Sequence, residues 1–335
     1  MSLTESIKRE ARVLGFDAVG IARVAERNPL SAVSSQPYPG PMPVPTRVSS
    51  LLYERLTEWL RRGYQGTMAW MGRTPEKRVD PQHVLRGCRS VISVGLNYLT
   101  DHRADERPSY GRIARYAWGR DYHNVLGERL TQLEQAIHRL ASDAVTRSYT
   151  DTGPIMEKAW AERAGLGWIG KHSNLVSTDH GSWLLLGEIL TTLELEPDEP
   201  GADLCGSCTL CIQACPTGAI VEPYVVDATR CISYLTIEWR GEASFISPEL
   251  QRGMGNKIFG CDDCLDVCPF NLRTQPTQES AFQPNALTLA PQLDVLAQMS
   301  EADFSREFRQ SPIRRAKPEG LRRNVGIAQR NQKSC

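Results

Sequence analysis

The chain has 335 residues, 41% of them apolar and 23% charged, and its 39 basic side chains balance 39 acidic ones. That is the composition of an ordinary globular chain with room for two domains. A net charge of zero excludes any global attraction to polyanions or membranes, so a nucleic-acid contact must come from a local patch. No stretch approaches the ~18 consecutive apolar residues of a membrane span, and the polar opening MSLTESIKRE lacks an apolar signal core. We therefore expect a cytoplasmic protein.

Helical spacing over 3–14 stops at Gly15, and Asp17 to Val24 reads as a short strand. Pro37, Pro39, Pro41, Pro43 and Pro45 make 28–46 an extended, exposed loop. Leu52, Leu56 and Trp59 carry a second helix that ends near Gly63, and Val91–Leu96 is a buried-strand candidate. From Asp121 the apolar positions Leu126, Leu130, Leu133, Ile137 and Leu140 step by four and three, the pattern of an amphipathic helix. A strand follows at Val145–Tyr149, then a helix opened by Pro154, a glycine-rich turn at Gly165–Gly170 and a strand at Trp183–Leu190. Strands alternating with helices predict an α/β domain over 1–195. The acidic stretch Glu194–Gly201 marks a boundary, followed by a cysteine-rich module over 196–280 and a helical, basic tail over 281–335. In that tail Ser300 to Asp303 forms a capping box, and Phe304 and Phe308 lie four apart.

Eight of the ten cysteines lie between 205 and 268. In a reducing compartment such clustering reads as metal ligation rather than disulfides. The run Cys205-Gly-Ser-Cys208-Thr-Leu-Cys211-Ile-Gln-Ala-Cys215-Pro216 matches in full the ferredoxin pattern whose fourth cysteine serves the other cluster. The second run, Cys261-Asp-Asp-Cys264-Leu-Asp-Val-Cys268-Pro269, is one cysteine short, and Cys231 completes it. We assign Cys205, Cys208, Cys211 and Cys268 to one [4Fe–4S] cluster, with Cys215, Cys231, Cys261 and Cys264 on the other. Paired C-x2-C elements also build tetrahedral zinc sites, and zinc is the alternative. Cys88 reads as a small buried residue and Cys335 as part of a mobile terminus.

Two further segments carry chemistry. Asp151-Thr-Gly-Pro154-Ile-Met-Glu157 sets a carboxylate between a strand and a helix, as a reactive group or as a helix cap. Gly167-Trp-Ile-Gly-Lys171-His172-Ser173-Asn174 is a turn that either cradles a ligand or is a plain loop. Between 306 and 333, nine basic residues face two acidic ones, a local net of +7 that suits RNA phosphates or a solvated helical face.

Taken together and in this order, Arg115-Tyr-Ala-Trp-Gly-Arg120-Asp-Tyr-His123, Asp151-Thr-Gly-Pro154, Gly167-Trp-Ile-Gly-Lys171 and the two cysteine runs resemble the epoxyqueuosine reductase family over about residues 1–275. The resemblance implies an α/β cobalamin-binding domain, then a ferredoxin-like domain with two [4Fe–4S] clusters and a short helical tail. It implies reductive removal of the epoxide oxygen from epoxyqueuosine at the tRNA wobble position. The partners would be a tRNA anticodon loop and an external electron donor, and the protein a monomer. Asp151 matches the family's proton donor and the eight cysteines its cluster ligands. Arg78, Ala114, Arg115, Asp151, Lys171, Ser173, Asn174, Leu175 and Leu186 match positions around cobalamin. Asp121-Tyr-His123-Asn-Val-Leu-Gly127 only approximates the signature of mutase-type cobalamin proteins, its glycine one residue late, so we read His123 as helix-terminal rather than as a cobalt ligand. Family members with a longer helical-repeat region suggest that the substrate surface here is reduced or differently built. A reductive dehalogenase-like cobalamin enzyme acting on a small molecule, or a non-catalytic ferredoxin-type electron carrier, remain the other readings.

Overall fold

The structure, a computed structural model, describes residues 1–24 and 47–333. The proline-rich stretch 28–46 and Cys335 thus lie outside the described residues. Helix α1 (Leu3–Val13) starts where the Ser2 hydroxyl accepts the Glu5 N–H, an N-cap bond that satisfies one orphan donor. The chain then turns at Gly15, whose φ of +83° suits a residue without Cβ. In order there follow β1 (Ala18–Arg23), α2 (Arg47–Arg61), β2 (Ser90–Asn97), α3 (Tyr122–Leu140), β3 (Thr146–Tyr149), α4 (Glu157–Arg163) and β4 (Leu184–Thr191).

The four strands make one sheet in the order β1-β2-β4-β3. Register puts Ile21, Ile92 and Ile189 in a single cross-strand row, packed with Ile7 of α1 and Leu126, Leu130 and Leu133 of α3. One residue along, Ala22, Val91 and Leu190 form a row on the opposite face, under Trp160 and Ala161 of α4. This two-residue alternation assigns the apolar side chains to two cores, one on each side of the sheet. Truncating the fully buried Ile92 to alanine would cost about 2–5 kcal/mol. Gly20 permits the close approach of α4's end to β1, since a Cβ there would lie 1.9 Å from the Ala164 carbonyl oxygen.

Helices cover the sheet as the alternation predicts, but every strand pair within this sheet is antiparallel. The segments 24–89 and 150–183 are long enough to return the chain to either end of the sheet, so hydrophobic spacing alone leaves strand direction open. Pro154 does not open a helix. It lies in a bend over 151–155, and α4 begins only at Glu157, because Asp151 N–H is drawn to the Glu157 side chain and Met156 N–H donates to the Arg78 carbonyl.

The expected boundary is bound to the first layer. Asp198 pairs with Lys8 at 2.5 Å and accepts the Ile21 N–H at 2.7 Å. Farther on, Arg112–Ile113 pairs in parallel with the strand Lys257–Phe259, tying the N-terminal part to the cysteine-rich part. Nor is the last helix, α5 (Lys317–Lys333), an appended tail. Leu321, Val325 and Ala328 form an apolar stripe at helical spacing, buried with Ile113, Ile258 and Phe259. Asn324, with no exposed surface, donates to the carbonyls of Thr236 and Ile258 at 2.8 and 2.9 Å. No helix among the described residues is long and apolar enough to cross a membrane.

Candidate active site and cluster ligands

A cavity of about 1330 Å³ lies where the sheet's α4 side meets the cysteine-rich part and the segment before α5. The start of α3 lends it Tyr122 and His123, the bend lends Asp151, α4 lends Glu157 and Lys158, β4 lends Leu184 to Leu186, and Arg314 and Arg315 reach it from the C-terminal region. At this volume it exceeds the ~300–1,000 Å³ of sites for drug-sized ligands.

Its chemistry centres on three residues. Asp121 caps α3 by accepting the His123 N–H, and the same carboxylate accepts a hydrogen bond from His123 Nδ1 at 2.6 Å. The imidazole Nε2 lies 3.2 Å from Asp151 Oδ2, and the Tyr122 ring stacks on the imidazole at 4.1 Å. Burial alone would lower the His123 pKa, but hydrogen bonds to Asp121 and Asp151 outweigh it and raise the value to about 9. The imidazole is therefore a cation near neutrality and donates from both nitrogens. The His123 hydrogen bond holds the Asp151 carboxyl below its usual range against the opposing effect of burial.

Two sequence readings change here. Asp151 caps no helix, since α4 begins at Glu157 behind Met156. Its acid form is also not favoured at rest, because the proton resides on His123. The histidine, read as merely helix-terminal, belongs to the site. The sequence signal was available in Asp121-Tyr-His123, where an N-cap carboxylate precedes an imidazole by two residues. Asp151 itself adopts φ 55°, rare for a residue with a Cβ, and its carboxylate is 60% exposed towards the cavity.

The residues expected around a cofactor divide into two groups. Arg78, Asp151, Asn174, Leu175 and Leu186 line the cavity. Arg78 donates through Nη2 to the Trp70 carbonyl at 3.2 Å, while its Nε is buried without a partner. Ala114, Arg115, Lys171 and Ser173 do not line it, and each has another contact to explain its position. Ala114 N–H donates to the Phe259 carbonyl. Arg115 pairs with Asp262 at 3.2 Å and Asp266 at 2.6 Å and lies over the Trp183 ring, bracing the 261–268 turn. Lys171 Nζ donates to the carbonyls of Gly206 and Cys208 at 2.6 and 2.9 Å, which ties down the first cysteine loop. Ser173 donates to the Tyr224 carbonyl at 2.8 Å. Its own carbonyl accepts from Lys158.

The nine described cysteines are unpaired. Cys88 is buried beside β2, and burial pushes its thiol up to about 12, as befits an inert packing residue. The other eight fall into two neighbourhoods. Burial raises the Cys211 and Cys268 thiols, and Cys205 and Cys208 raise both further. Burial likewise raises Cys264, with Cys261, Cys231 and Cys215 adding to it. Trp168 Nε1 donates to Cys205 Sγ at 3.4 Å and Ala219 N–H to Cys215 Sγ at 3.2 Å.

Two family models match the chain. Residues 78–152 match the family described as "Epoxyqueuosine reductase QueG, DUF1730", and residues 204–271 match the "4Fe-4S double cluster binding domain". An epoxyqueuosine reductase of Synechocystis sp. is 50% identical over 273 residues, which cover 81% of this chain and 93% of that one. One from Gloeobacter violaceus is 46% identical over 332 residues, covering 96% and 94%. The chain belongs to the epoxyqueuosine reductase family. A crystal structure of an epoxyqueuosine reductase with an epoxyqueuosine-modified tRNA-Tyr stem loop superposes with a TM-score of 0.85 at 31% identity, covering 99% of this chain and 82% of that one. As a family member the chain is an oxidoreductase carrying two [4Fe–4S] clusters. The zinc, dehalogenase and electron-carrier readings are set aside.

Proposed function

We propose that this reductase removes the epoxide oxygen of epoxyqueuosine at the tRNA wobble position to give queuosine. In this reading the antiparallel sheet and its helices hold cobalamin, the ferredoxin-like part carries the clusters, and the C-terminal helical region closes one side of the cavity. The reaction would take place in the cytoplasm, where tRNA is found, with electrons from an external donor. The observation that carries the reading is an exposed carboxylate, Asp151, backed by a protonated His123, on the wall of a cavity large enough for a macrocycle.

The residues suit both groups. The cavity wall sets apolar Leu175 and Leu186 beside polar Asn174, and the orphaned Arg78 Nε is a donor that an amide of a corrin side chain would satisfy. Eight thiols in two neighbourhoods supply the soft donors that iron–sulfur clusters require. On that basis Cys205, Cys208, Cys211 and Cys268 would hold one cluster and Cys215, Cys231, Cys261 and Cys264 the other. When bound, the cobalamin and clusters would supply the low-potential electrons that the reduction needs.

The protein's own residues handle the proton. Opening the epoxide builds charge on oxygen, and an alkoxide is a far stronger base than imidazole. The His123 proton then passes through Asp151 to that oxygen, and Asp121 holds the ring in place throughout. Arg314 and Arg315 at the cavity offer cations to the RNA backbone. Anaerobic protein loaded with iron, sulfide and cobalamin, then given a reductant and a stem loop carrying epoxyqueuosine, should release queuosine on nucleoside analysis. Absence of conversion by fully loaded protein would refute the reading.

A further inference from the structure

Behind Asp151 lies a second acidic pair that the chemistry above does not use. Glu188 is the one charged residue in the apolar strand β4 and has no exposed surface. Its register neighbours are Ser93 on β2 and Tyr149 on β3. Among the described residues, no N–H or hydroxyl donor reaches either of its carboxyl oxygens, and Ser93 Oγ is also without a partner. What faces Glu188 is another carboxyl group, that of Glu157 on α4. Glu157 is half-buried, lines the cavity, and accepts the Asp151 N–H. The other charged groups acting on it are Asp151 from the bend and Lys158 from its own helix.

Two carboxyls that face each other, one of them fully desolvated, are not both ionised, because burial penalises the charged form and a second negative charge adds to the penalty. Burial is the largest cause for both groups and pushes them above the usual carboxylate range. The Asp151 charge raises Glu157 further, and the Glu157 charge raises Glu188. The hydrogen bond between the two carboxyls raises Glu188 while it lowers Glu157, so the proton rests on Glu188 and is offered to Glu157. A proton shared between them removes the repulsion and provides the donor that Glu188 otherwise lacks. The pair titrates as a unit.

We propose that Glu157 and Glu188 hold one shared proton at the back of the cavity and deliver it, through Glu157, as the second proton of the deoxygenation. The proposal rests on the reaction assigned above, whose balance requires it. Breaking both C–O bonds of the epoxide and forming the C=C bond takes up two electrons and two protons and releases water. The electrons come from the external reductant through the cluster-bearing part. The first proton comes from His123 by way of Asp151, which leaves that pair without another to give. Glu157 opens onto the same cavity beside Asp151 and carries the next acidic proton. The pair regains it from solvent after product leaves. Glu157 also fixes the Asp151 backbone, so its side chain keeps the two proton routes side by side.

Glu188→Gln separates this role from packing, since it is nearly isosteric, does not touch the cavity, and faces Glu157 with an amide that has no acidic proton to share. Two measurements on the full-length, cofactor-loaded protein are decisive. Infrared spectroscopy of the wild type near pH 7 should show a protonated carboxyl band that is lost in Glu188→Gln and in Glu157→Gln. Turnover of an epoxyqueuosine stem loop by Glu188→Gln should fall at least 10-fold at pH 8. Its alkaline decline should begin at least one pH unit lower than in the wild type, and the rate should recover towards pH 5.5. Absence of the band in the wild type overturns the proposal even if the variants fail to fold. So does a Glu188→Gln profile that coincides with the wild type's. A wild-type protein that leaves the stem loop unchanged refutes the reaction itself and the proton's use with it, which distinguishes that failure from this one.

Discussion

His123 Nε2 and Asp151 Oδ2 lie 3.2 Å apart although 28 residues separate them in the chain, and Asp121 holds the opposite nitrogen of the same ring at 2.6 Å. A cation is thus enclosed by two carboxylates, one turned to the protein and one to the cavity. The arrangement holds a proton at neutral pH on the wall of the cavity.

Asp151→Asn keeps the shape and removes the acceptor through which that proton travels. Product formation should fall at least ~10²-fold, the scale of a lost general acid, while both clusters, the corrinoid and stem-loop affinity are retained. Single-turnover assays on loaded protein, with iron and cobalt determined on the same sample, test this. Near-normal turnover would remove Asp151 from the chemistry.

The ion pair also makes stability depend on pH. The His123 pKa is raised from 6.5 to about 9 on folding, so its stabilising effect is complete below the unfolded value and is lost as pH rises through about 9. In urea unfolding, the wild type should exceed His123→Gln by a margin that is constant near pH 6 and shrinks between pH 7 and pH 10. A margin that stays flat across this range would show that the ring is not charged in the folded protein.

Iron stoichiometry tests the ligand sets. Intact protein should carry about eight irons, four per cluster. Cys231→Ala should retain about four, whereas Cys88→Ala should retain all of them because that thiol is buried away from the two neighbourhoods. Full iron content in anaerobic Cys231→Ala would force a different eighth ligand.

Basic residues near the C-terminus separate by contact. Arg314 and Arg315 reach the cavity, and Arg315 also pairs with Glu238 at 2.8 Å. Arg323 instead donates to the carbonyls of Leu235, Trp239 and Gly241 at 2.7, 2.7 and 3.0 Å. Neutralising Arg314 and Arg315 should flatten the salt dependence of tRNA binding by roughly one unit of log–log slope per lost phosphate contact. Arg323→Ala should leave that slope unchanged and destabilise the fold by about 2–4 kcal/mol, since buried carbonyls lose their donor. Equal slopes for wild type and the Arg314/Arg315 double variant would exclude this face from RNA binding.

The sequence by itself determined whatever depends on short-range spacing. The cysteine runs and their prolines announced two clusters, since close spacing within a run sets neighbouring thiolates on one cluster while the cysteine before the proline serves the other. The apolar steps from Leu126 to Leu140 and the run at Val91–Leu96 became α3 and β2 because periodicity reports which side of an element meets the core. Tertiary structure decided the rest. Strand direction depends on which end of the sheet a long connection returns to, and composition does not encode that. Arg323 looked like one more charge in a basic run until packing set it against three carbonyls. The candidate site joins the start of α3, a bend after β3 and the first turn of α4, with the middle of β4 behind them. Whether His123 meets Asp151, and Glu157 meets Glu188, depends on sheet register and helix docking, which bring together groups whose charges then determine one another's protonation.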